Sequence, residues 1–256
     1  MSPLRTTLNL CLVEILGLVG IATFPALLPT FQHTWQLNNT EAGWISAVYY
    51  AGYILAVPFL VSATDRVDAR RILLFGTAVA FLSSLAFAIA ANGFWSAALL
   101  RFLTGIGLAG IYMPGLKIVS DNTEGPFQSR FISFYTASFG IGIALSFYIA
   151  GEIASWLNWR WAFAAAGISS AAAMAVAAGA APVSKTDPHS QRIGYRLDFR
   201  PILQNRQAMA YILGYAAHMW ELFGLRSWIV AFLVYSQGLQ PAGSFQISAT
   251  RIAFAM

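Results

Sequence analysis

The sequence predicts an all-α membrane protein: a bundle of about six transmembrane helices, a charged link, and the start of a second set of helices. Composition is the first reason. The chain is 58% hydrophobic and 10% charged, with a mean hydropathy of +0.63, where a soluble domain carries about a quarter charged residues. The second reason is a charged island, Asp65-Arg66-Val67-Asp68-Ala69-Arg70-Arg71, set between Ile45 to Ala63 and Ile72 to Ala91, neither of which holds an ionised residue. Each flank is close to the ~20 apolar residues that cross a hydrocarbon core as a helix. The third is where the basic residues fall: they gather in short inter-helix links, which the positive-inside rule places on the cytoplasmic side.

The elements follow in order. A first span runs from about Leu8 to Leu28; with Glu14 inside it and no small-residue cleavage site, it reads as a retained helix rather than a signal peptide. Pro29 to Glu41 is expected to be an outer loop, and a second span reaches Ala63. After the charged island, the third span ends at the tight turn Asn92-Gly93. The fourth, from about Trp95 to Ile118, leads into a polar segment from Ser120 to Arg130 with Gly125-Pro126 as turn chemistry. Phe131 to Ile153 is the fifth span. The aromatic link Trp156 to Trp161 suits headgroup depth, and an alanine-rich sixth span ends at Ala181.

Three regions result: a bundle over residues 1–181, a central loop over 182–206, and an incomplete second half over 207–256. The central loop carries Lys185, Arg192, Arg196, Arg200 and Arg206 against Asp187 and Asp198, so it too is expected in the cytoplasm. Gln207 to Tyr235 is a seventh span. Gly243 to Met256 begins an eighth, whose residues cross only about two thirds of the hydrocarbon at ~1.5 Å each, so the chain reads as a piece of a longer protein. The short loops suggest a bacterial inner membrane with the N-terminus cytoplasmic.

Several function classes are excluded. The net charge of +5 comes from scattered links, not from a basic stripe with interleaved aromatics, so no nucleic acid is expected. The single Cys11 lies in an apolar segment and can build neither a disulfide framework nor a cysteine metal site. Neither HExxH nor GxSxG occurs, so no enzyme activity is expected. Gly105-Ile106-Gly107-Leu108-Ala109-Gly110 spells the dinucleotide fingerprint, but within an apolar helix, without the preceding strand that fingerprint requires. Gly105, Gly107 and Ala109 instead read as a small-residue helix-packing face, with Gly140 and Ala144 repeating the pattern. No cofactor or metal is expected.

These features resemble the major facilitator superfamily of secondary transporters. Its loop motif is a glycine, three residues, Asp-Arg, one residue, then glycine and a basic pair. Asp65, Arg66, Arg70 and Arg71 match it; Val61 and Asp68 stand where glycines are usual, and Ala69 where a basic residue is usual. A second family signature, Arg, three residues, Gly-x-Gly, falls in the fourth span as Arg101, Gly105 and Gly107. The resemblance implies transport of a small solute by alternating access, with the partners being the lipid bilayer, a small-molecule substrate and protons, as in a symporter. It further implies that Asp65, with Arg66, Arg70 and Arg71, latches one conformation against a helix N-terminus of the other half. The Gly-Pro step common in the fifth span of antiporters is missing from Phe131 to Ile153.

Ionised residues at membrane depth are expensive, about 2.5–3.5 kcal/mol each on insertion scales, and so mark substrate or proton sites. The candidates are Glu14, Arg101, His218, Glu221 and Arg226. Glu14, Glu221 and His218 are read as proton carriers; Arg101 and Arg226 as positive charge for an organic anion. The structural alternative is ion pairing that only holds helices together. Tyr49, Tyr50 and Tyr53 either stack on substrate or pack. A transporter-like receptor, or a non-transporting fragment, are the alternative functions, and the oligomeric state is not readable.

Overall fold

The computed structural model describes residues 2–123, 125–183, 200–241 and 247–256. Its elements are helices: α1 (Pro3–Leu18), α2 (Thr23–Ala26), α3 (Leu28–Trp35), α4 (Asn39–Ala63), α5 (Ala69–Ala90), α6 (Phe94–Asp121), α7 (Gln128–Trp156), α8 (Trp159–Ala180), α9 (Arg200–Gln204), α10 (Arg206–Gly238) and α11 (Ala249–Ala255). No strand occurs among the described residues. Five of these helices, α4 to α8, are each long and apolar enough to cross a bilayer. Lys185, Asp187, Arg192, Arg196 and Asp198 of the central loop, and Gly243, lie outside the described residues.

Each start is encoded locally. Asn38 and Glu41 form a reciprocal capping box at the head of α4, and Asn158 caps α8 by accepting from the Arg160 and Trp161 amides. Asp68 caps α5 by accepting from the Arg70 amide at 3.0 Å. This gives a reason for the departure at that position, because an aspartate satisfies an orphan amide that a glycine leaves open. Ala69 is completely buried, so a long basic side chain has no room there.

In the first bundle α6 packs between α4 and α5, α5 packs on α8, and α1 packs on α7 and α8. Glycines let the backbones approach. A Cβ on Gly107 would lie 2.8 Å from the Ala80 amide nitrogen of α5, and one on Gly105 would run into the backbone of Tyr49 and Tyr53 on α4. Ala109 is fully buried. Gly140, by contrast, has nothing within 4 Å, so the packing pattern does not repeat on that face of α7.

The first span is not one helix, contrary to the expectation for Leu8 to Leu28. It breaks between α1 and α2, over Val19 to Ala22. Pro25 contributes, because it lacks the N–H that the carbonyl of Ile21, four residues earlier, requires to continue the helix, although α4 and α6 run on through Pro58 and Pro114. Nor is Pro29 to Glu41 a loop. Pro29 sits in the first turn of α3, where its missing N–H costs nothing, and the helix ends at Gln36, whose φ of 54° is left-handed. Phe24, Phe31 and Trp35 stack along this stretch and meet Phe87, Trp159 and Phe163 edge-on or tilted. That aromatic cluster caps the Asn92 end of the bundle.

The charged island lies at the opposite end. Arg70 donates to the Ala178 carbonyl near the end of α8, while Asp65 and Arg71 are exposed.

Candidate functional site

A broken helix at membrane depth leaves backbone groups that lipid cannot satisfy. Here side chains do it. Ser146 on α7 accepts from the Ala22 amide at 2.9 Å and donates to the Val19 carbonyl at 2.5 Å. Thr23 also donates to Val19, at 3.0 Å. Arg101 reaches across from α6, its two terminal nitrogens donating to the carbonyls of Gly20 at 3.1 Å and Ile21 at 3.0 Å. Its guanidinium lies 4.1 Å from the centre of the Tyr49 ring and 6.0 Å from that of Phe24, which compensates part of the desolvation of a side chain only 2% exposed. Arg101, expected to face substrate, is thus engaged with the break itself.

Beside the break lies a small open cleft of about 230 Å³, including open solvent, lined by Ile21, Ala22, Pro25, Tyr50, Ile143, Phe147, Phe223 and Arg226. It is apolar apart from its cation and a tyrosine. The rings of Tyr50 and Phe223 meet at 4.6 Å, joining α4 to α10. Arg226 is half-buried, and one of its terminal nitrogens is buried with no hydrogen-bond partner among the described residues. An unpaired donor of this kind at a cleft is a place for an acceptor from outside the chain. Of the three tyrosines, Tyr49 packs on Arg101 and Tyr50 lines the cleft.

Glu14 is completely buried in α1. One carboxylate oxygen accepts from the Ser138 hydroxyl of α7; the other is buried and has no partner among the described residues. It lies four residues before Leu18, the last residue of α1, roughly 6 Å along the helix axis. His218 and Glu221 are exposed on α10, and the structure brings neither of them to Arg226 or to Glu14. Both lie near the middle of α10, whose contacts with the first bundle are chiefly with α2 and α3.

Ser138 and Ser146 were missed from the sequence. Their signal was present, since Ser138, Gly142 and Ser146 recur every fourth residue and form one buried face of α7 against α1.

Comparison with known proteins agrees with this architecture. The family model described as Major Facilitator Superfamily matches residues 10–256. Among relatives, human protein spinster homolog 1 is 24% identical over 251 residues, covering 93% of this chain and 47% of the relative. The niacin transporter NiaP of Acinetobacter baylyi is 26% identical over 149 residues, covering 58% of this chain and 33% of its own length. The chain therefore spans half or less of these relatives. A solved bacterial homolog of the human lysosomal transporter Spinster superposes with a TM-score of 0.74 at 17% identity, covering 99% of this chain and 58% of that one. With two family motifs, an all-helical bundle and a family match over nearly its whole length, the chain belongs to the Major Facilitator Superfamily.

Proposed function

We propose that the chain is part of a secondary active transporter that moves a small organic anion by alternating access, with Glu14 carrying the coupled proton. The observation behind the anion is the buried, unpartnered nitrogen of Arg226 at the mouth of a cleft otherwise lined by Tyr50, Phe147, Phe223 and aliphatic groups. A cation against aromatic rings suits an anion with an apolar body. The niacin transporter among the relatives is compatible with this choice. Glu14 supports the proton role, because a buried carboxyl with one hydroxyl partner and a second, bare oxygen changes protonation readily when its surroundings open. In this reading the charged island and the central loop face the cytoplasm, in an inner membrane, and residues 1–181 form one rocking half.

The test is uptake by the full-length gene product in vesicles. Organic anions are offered against neutral sugars and amino acids. Arg226→Gln is expected to raise the apparent KM for the transported anion about tenfold or more, the scale of a charge-assisted hydrogen bond, with Arg226→Lys in between. Unchanged anion uptake in Arg226→Gln would remove that residue from the site.

A further inference from the structure

Glu14 and Ser138 meet where α1 packs on α7, and both are buried. The Ser138 Oγ faces two acceptors at once. One is the Glu14 carboxylate; the other is the carbonyl of Tyr135, three residues earlier on α7, at 2.6 Å. A hydroxyl has one hydrogen to donate and two lone pairs with which to accept, so it cannot serve both acceptors together. Their claims on it are unequal. The Tyr135 carbonyl lies inside α7, where the helix ladder offers it the amide four residues on. Glu14 has no other hydrogen-bond donor and no ion-pair partner among the described residues.

The other titratable groups that face Glu14 are already engaged. Tyr135 donates its phenol to the carbonyls of Ile111 at 3.4 Å and Tyr112 at 3.1 Å. Tyr112 of α6 is hydrogen-bonded through its side chain to Thr136, and the Cys11 thiol of α1 to Ser138 itself. A thiol is a weak donor. α8, which also packs on α1, has Arg160 as its one titratable side chain, and that donates to the Ala88 and Ile89 carbonyls at the Asn92 end. Ser138 is left as the strong donor beside the carboxyl.

We propose that Ser138 is a positioning residue for the proton on Glu14, its hydroxyl reversing direction each time the carboxyl gains or loses that proton. With Glu14 ionised, Ser138 donates to the carboxylate. When a proton from water adds to that oxygen, the acid O–H donates to the Ser138 Oγ and the serine hydrogen turns to the Tyr135 carbonyl. On release the carboxyl proton leaves and the serine hydrogen turns back, so Ser138 keeps its own hydrogen throughout. In both states the serine oxygen and the carboxyl oxygen facing it are satisfied, which counts most for a buried charge. This role rests on the reading of Glu14 as the carrier of the coupled proton.

The test requires no substrate. The full-length product in phosphatidylcholine vesicles is stepped through pH while infrared difference spectra record the carbonyl band of protonated carboxyls, and the Glu14 band is the one lost in Glu14→Gln. A glutamine there can either accept from Ser138 or donate to it. Ser138→Ala removes a charge-assisted donor from the carboxylate, so the proton concentration that half-fills the Glu14 band is expected to fall about tenfold. The band is also expected to move to higher wavenumber, because the acid O–H has lost its acceptor. Ser138→Thr keeps the hydroxyl and is expected to keep the parental midpoint and position. A purely structural serine would lower the melting temperature on replacement and move neither. A parental midpoint in Ser138→Ala, or Ser138→Thr titrating like Ser138→Ala, would overturn the role of Ser138 alone. If no pH-dependent band is lost in Glu14→Gln, the proton reading of Glu14 falls and the role of Ser138 with it, while the anion site at Arg226 stands.

Discussion

Arg101 donates to the carbonyl of Ile21 at 3.0 Å, four residues before Pro25, so an arginine from α6 stands in for the amide that proline lacks. This makes the break in the first span a two-residue device. Pro25 opens the ladder, and Arg101 satisfies what is opened.

Replacing Arg101 by Lys keeps the charge but not the fork that serves two carbonyls and stacks on Tyr49. Arg101→Lys is expected to lower stability by about 2–3 kcal/mol, as for a buried, charge-assisted bond with one partner removed. Pro25→Ala returns an amide to Ile21, so the double variant is expected to lose less than the sum of the singles. Thermal unfolding of all four proteins in detergent measures the cycle. Strict additivity would mean that Arg101 and Pro25 act separately.

Close backbone approach on α6 gives a second expectation. Gly107→Ala places a methyl 2.8 Å from the Ala80 nitrogen, a backbone atom that cannot rotate away, and overpacking of this kind costs about 1–3 kcal/mol. Gly140→Ala, with open space around it, is expected to be neutral or slightly stabilising through helix propensity. Equal melting temperatures for the two variants would contradict the α5–α6 contact.

Much of the fold was legible in the sequence for a simple physical reason: the spans from α4 to α8 are long, largely apolar runs joined by short polar or charged links, and length with link chemistry decides them. The break at Val19 to Ala22 was not. Hydropathy is continuous across it, and Gly20 and Pro25 occur in unbroken membrane helices too. The site was legible in part. Arg101 and Glu14 are buried, as intramembrane charges should be, but which groups they meet depends on Ser138, Ser146 and Tyr49 from other helices. Glu221 lies near the middle of α10, as counting along the sequence places it, and its side chain is exposed. Glu152, near the end of α7, has a bidentate partner in Arg251 of α11, a pairing that no local pattern in the sequence announces.

The charged island offers a local test. Asp68 caps α5 where the family's motif has a glycine, so Asp68→Ala is expected to cost about 1 kcal/mol and Asp68→Asn, which keeps the accepting oxygen, less. Melting temperatures separate the cap from charge, because asparagine keeps the accepting oxygen without the negative charge. A loss in Asp68→Asn equal to that in Asp68→Ala would assign the effect to electrostatics instead.

Glu14 and Glu221 present the last contrast, one carboxyl buried against Ser138 and the other exposed on α10. If protonation of Glu14 is the coupled step, the neutral amide of Glu14→Gln imitates the protonated acid and still accepts from Ser138. Melting temperature is then expected to be unchanged or higher, because no ionised form needs desolvation. Accumulation driven by a proton gradient is expected to be lost while counterflow exchange persists, since exchange requires movement of the loaded carrier but no net proton transfer. Glu221→Gln is expected to keep both. Uptake with and without an imposed pH gradient, beside counterflow, resolves the two residues. Normal accumulation in Glu14→Gln together with its loss in Glu221→Gln would move the coupling site from α1 to α10.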